Sequence, residues 1–65
     1  MTREEIIELV WNRMQEHTNI GNATADMGRI NESEISLSKA MECKQILNIV
    51  CTPAELRKLQ EGGKL

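Results

Sequence analysis

At 65 residues, with no Phe or Tyr and a single Trp, the chain has room for one domain spanning 1–65, and its core must be aliphatic with methionine filling gaps. Chains this short rarely draw more than ~3–5 kcal/mol from one core unless a disulfide, a metal or another copy adds to it, so self-association is expected. The net charge of −2 comes from scattered acidic and basic residues, which argues against the clustered basic stripe of a phosphate-binding surface.

The first helix is predicted over 3–17. Thr2-Arg3-Glu4-Glu5 forms a capping box, and Met1 with Ile6 has the spacing of a hydrophobic staple. Ile6, Ile7, Leu9, Val10, Trp11 and Met14 cover roughly 200° of the helix circumference, wider than one packing partner requires. Glu4 and Glu5 at the start and Arg13 and His17 near the end suit the helix dipole. Thr18-Asn19-Ile20-Gly21-Asn22 reads as the stop, with Gly21 free to take positive φ.

Two readings of the next stretch stand. Ala23–Arg29 is a short separate helix ended near Gly28, or it belongs to one helix from Ala23 to Cys51, whose four-three spacing runs through Met27, Ile30, Leu37 and Met41. The break is favoured because Asn31-Glu32-Ser33-Glu34 is a capping box and Ile30 with Ile35 a staple. A helix over 32–51, read as the longest in the chain, then carries Ala40, Met41, Cys43, Ile46, Leu47, Ile49, Val50 and Cys51 over more than half its circumference. Thr52-Pro53-Ala54-Glu55 is a capping box with proline at the first helical position, opening a helix over 53–61. Gly62-Gly63 ends it, and Lys64-Leu65 is expected to fray.

No stretch of the chain has the length of a membrane span, because Ile49–Cys51 is already a maximal unbroken apolar run and a span needs about 20 such residues. The first residues enter an amphipathic pattern without the apolar region of a signal peptide, so a cytoplasmic location and reduced Cys43 and Cys51 are expected. Neither a metal nor another cofactor is expected. His17, Cys43 and Cys51 are the only soft ligands, and the two cysteines lie eight residues apart on one helix, about 12 Å of rise, too far to share an ion. No glycine-rich phosphate loop is present, and the single histidine has no serine or cysteine near it in sequence, so the chain does not read as an enzyme.

Ala25-Asp26-Met27-Gly28-Arg29-Ile30-Asn31-Glu32-Ser33-Glu34-Ile35-Ser36 resembles the helix-turn-helix of repressor-like DNA-binding proteins, in which a small residue, a turn glycine, a following apolar residue and an Ile-Ser pair recur. The resemblance covers about a fifth of the chain. It implies that Ala25 packs between two helices, Gly28 makes the turn, and Ile30 and Ile35 anchor a recognition helix. It also implies that Ser33, Ser36 and Lys39 face bases and Arg29 a phosphate. Glu32 and Glu34 at the start of that helix would place like charge beside phosphate.

The expectation is therefore an all-α fold of three or four helices, with the helix over 32–51 packed antiparallel on the one over 3–17 in a homodimer. Val10, Trp11, Met14, Leu37, Met41, Leu47 and Val50 are expected to share core and interface. The function expected is that of a regulatory or adaptor protein acting on another protein, a role common among small acidic bacteriophage and mobile-element accessory proteins. The alternative is a small helix-turn-helix regulator.

Overall fold

The fold begins at Thr2, whose hydroxyl accepts from the Glu5 N–H at 3.2 Å while the Glu5 carboxylate accepts from Thr2. A computed structural model describes all 65 residues and contains three helices and no strand: α1 (Arg3–Asp26), α2 (Ile30–Val50) and α3 (Pro53–Gly62). The expected box at Thr52 also forms, with Pro53 in the first turn of α3. Gly63, at φ 72°, ends that helix in the left-handed conformation.

The 24-residue α1, not α2, is the longest helix. It runs through the predicted stop at Thr18–Asn22 and absorbs most of the segment read as a separate helix. The turn-forming residues are accommodated by back-bonding: the Thr18 hydroxyl donates to the Met14 carbonyl at 2.8 Å, and the Thr24 hydroxyl to that of Ile20 at 2.8 Å. Gly21 is helical and buried, and a Cβ there would lie 2.6 Å from Cδ2 of Leu37. Its lack of a side chain serves a close approach of α2, not a turn.

Gly28 makes the turn instead, at φ 78°. The Arg29 N–H donates to the Thr24 carbonyl at 2.8 Å and the Gly28 N–H to that of Ala25 at 3.0 Å, the paired bonds of a Schellman motif. This motif delivers the chain directly into α2, which starts at Ile30 behind Arg29, a cap without a side-chain hydrogen bond. The expected box at Asn31 does not form, since Asn31 already lies within the helix.

α1 and α2 run antiparallel along their whole length. Arg3 reaches the Val50 carbonyl, Met14 and Thr18 lie beside Ala40 and Lys44, and Gly21 meets Leu37 and Ser33. Ile7, Leu47, Cys51 and Leu59 form the core, each below a tenth exposed, with Val10, Trp11, Met14, Leu56 and Leu65 packed around it. The C-terminus is therefore docked: Leu65 is half-buried and its N–H donates to Glu8 Oε2 at 3.3 Å.

Leu47 sits where expected, and Val10, Trp11 and Met14 are half-buried at the core's edge. Leu37, Met41 and Val50, assigned to the same set, are exposed. The reason is angular. At 100° per residue, the face of α2 turned to α1 is set by Ser33, Ala40 and Leu47, and Leu37 and Met41 fall on one flank of it while Val50 falls on the other.

Candidate functional site

Three helix ends meet at Arg3. Its guanidinium pairs with both carboxylate oxygens of Glu55, at 2.6 and 3.0 Å, and donates to the Val50 carbonyl at 2.6 Å. A cation thus sits on the C-terminal carbonyls of α2, and a carboxylate in the first turn of α3, both favourable to the helix dipoles. The hydrogen bond from Arg3, with help from the Thr52 backbone, holds the Glu55 carboxyl down to about 2. Burial pushes the neighbouring Cys51 thiol up, so that it packs as a neutral apolar group. No sequence signal marks this clamp, because its partners are 52 residues apart.

Apolar surface lies open on both flanks of the α1–α2 pair. On one, Arg3, Ile6, Val10, Ile46 and Val50 line a groove of about 260 Å³. On the other, α3 covers the lower half through Leu56 and Leu59, and the upper half remains open as a cleft of about 320 Å³ between Met14, Thr18, Leu37 and Met41. Trp11 is half-buried against the core at the edge of α3, with its indole N–H near Gly63.

The residues carried by the helix-turn-helix resemblance are not arranged as that motif requires. Gly28 does make the turn, but Ala25 is exposed and Thr24 takes the buried place beside it. Ile30 and Ile35 are more than half exposed and anchor nothing. Ser33 is buried at 4%, its hydroxyl donating to the Gly21 carbonyl at 2.7 Å, and is closed to a base edge. Arg29 lies 3.5 Å from Glu32, Ser36 is half-buried and Lys39 is exposed. The two helices also lie antiparallel, whereas a recognition helix crosses its predecessor at about 90–120°.

No three of the His, Cys, Asp and Glu side chains come together in a way that could hold a metal ion. Cys43 is half-buried and Cys51 buried, both as free thiols. No helix is long and apolar enough to cross a membrane.

Fold and surface together define a small all-α protein, a helical hairpin with a short third helix against one side. The chain matches no protein-family model, no curated protein and no solved structure.

Proposed function

We propose that the chain is a non-enzymatic regulatory or adaptor protein that works by binding another protein, and that it associates with a copy of itself. One observation carries this reading: twelve large apolar side chains stand exposed, against four residues in the buried core. The accessible surface of 4747 Å² exceeds the roughly 4,200 Å² expected for a folded monomer of this mass. Of the exposed side chains, Ile6, Ile46 and Val50 line one groove and Leu37 and Met41 the other, and apolar side chains gathered in this way are characteristic of surfaces that are covered in the working state.

Of the residues expected at the interface, Leu37 and Met41 are exposed and line a cleft with Met14, which supports a role for them in meeting a partner. Leu47 is interior and contributes through the fold alone. Nucleic acid is a weaker fit as a partner, because Ser33 is committed to the hairpin and the surface has no basic stripe.

Affinity capture with wild-type protein and Met41→Glu, each with and without nuclease, tests the reading. Met41 is 63% exposed, so the variant keeps its helicity. A stoichiometric protein that survives nuclease and high salt, and falls by about tenfold or more with the variant, supports it. Recovery that depends on nucleic acid overturns it.

A further inference from the structure

The outward face of α2 carries Glu32, Ile35, Lys39, Glu42, Ile46 and Ile49, which alternate three and four residues apart, the spacing of a coiled-coil seam. The seam is centred about 130° around the helix from the Ser33–Ala40–Leu47 face that packs on α1. Every one of its members is exposed, Ile49 at 83% and Ile35 at 58%. Lys39 and Glu42 at its centre form no ion pair within the chain.

We infer that this seam binds a second copy of the chain, α2 against α2, antiparallel, about a two-fold axis passing between residues 40 and 41. The inference rests on the self-association proposed above and assigns its face and register.

The charge pattern selects the geometry. In the antiparallel register, Lys39 of each copy lies opposite Glu42 of the other, and Ile35 of each lies opposite Ile46 of the other. Each of these layers pairs the two kinds of seam position with one another, as antiparallel helices require. In a parallel pair the same seam would set Lys39 against Lys39 and Glu42 against Glu42, two like-charge layers in the middle of the interface. The central ion pairs fix register and direction, and the isoleucine layers on either side supply the apolar burial. Ile46 also forms one wall of the groove that contains Ile6 and Val10. Ile35 of the second copy enters that groove, so α1 extends the contact at each end. The outermost layers set Ile49 against Glu32, which is turned toward Arg29 and stays at the solvent edge. The cleft at Leu37 and Met41 lies on the opposite flank and remains free for another protein.

Sedimentation equilibrium on wild type, Lys39→Glu, Glu42→Lys and the double exchange tests the inference, with circular dichroism to show that all four keep the same helicity. Each single substitution places like charges at two symmetry-related contacts. The expected result is a wild-type dimer, weakening by roughly tenfold or more in each single variant and recovery close to wild type in the double exchange. A wild-type monomer overturns both this inference and the self-association it rests on. A dimer indifferent to both single exchanges, or a double exchange that does not recover, overturns the α2 seam alone and leaves self-association through another face.

Discussion

The two ends of the α1–α2 hairpin are closed by different physics. At the base, where Arg3 meets Val50, Ile7, Leu47, Cys51 and Leu59 exclude water, and a third helix is clamped over them by an ion pair. At the tip, no third helix is present. The helices close on each other because Gly21 has no side chain and the Ser33 hydroxyl bonds its carbonyl, with Thr24 adding a second donor at 3.1 Å. A short chain with few large side chains can thus hold one end by burial and the other by approach of backbones, without building a core along the whole length.

This contrast can be broken most severely at the base. Leu47→Asp puts an unpaired charge at a site 1% exposed. The expected cost, upwards of about 4 kcal/mol, matches or exceeds what a domain of this size holds in reserve, so the variant should be unfolded by circular dichroism at 25 °C. A cooperative melt with native helicity would show that the core lies elsewhere. The tip should yield more gently. Ser33→Ala removes one of two hydroxyl donors to the Gly21 carbonyl, and a loss of about 1 kcal/mol is expected in urea denaturation, with helicity kept. An unchanged midpoint would mean that the backbone approach at Gly21 holds the tip without it.

The smallest effect is expected at the clamp, which is partly open to solvent. Glu55→Gln keeps the shape of the capping group and removes the charge. Because the Glu55 carboxyl is held at about 2, below its ordinary 4.5, its stabilisation is fully present above the higher value and is lost as pH falls toward the lower. Wild type should therefore melt higher than the variant at neutral pH, with the two curves converging between about pH 4.5 and 2. A gap independent of pH would assign the effect to capping alone.

What was legible in the sequence follows the same division between local and distant. The boxes at Thr2 and Thr52, the proline start of α3 and its glycine stop are interactions within four residues, and each forms as read. Gly28 turns the chain as read, whereas Gly21, read as part of a stop, lies inside α1, because a helical glycine that admits a neighbouring helix and a turn glycine look alike until the neighbour is known. The capping pattern at Asn31 was outweighed by the Schellman bonds at Thr24 and Ala25, which start α2 two residues earlier, at Ile30. The apolar faces of α1 and α2 were visible, but their division between interior and exterior was not. A helix with apolar residues over most of its circumference does not say which part meets its own partner, and Leu37, Met41 and Val50, expected to share core and interface, lie on the exposed flanks of α2. The Arg3 clamp and the docking of Leu65 on Glu8 join residues too far apart for any spacing rule.

The tip contact between Ser33 and Gly21 spans 12 residues of chain and the clamp between Arg3 and Glu55 spans 52. A random chain brings the second pair together roughly ten times more rarely than the first. The weakly held end is consequently the one that meets first during folding, and the well-buried end is the one that must separate for the molecule to unfold. How quickly the protein forms and how long it persists are thus properties of opposite ends of the same hairpin.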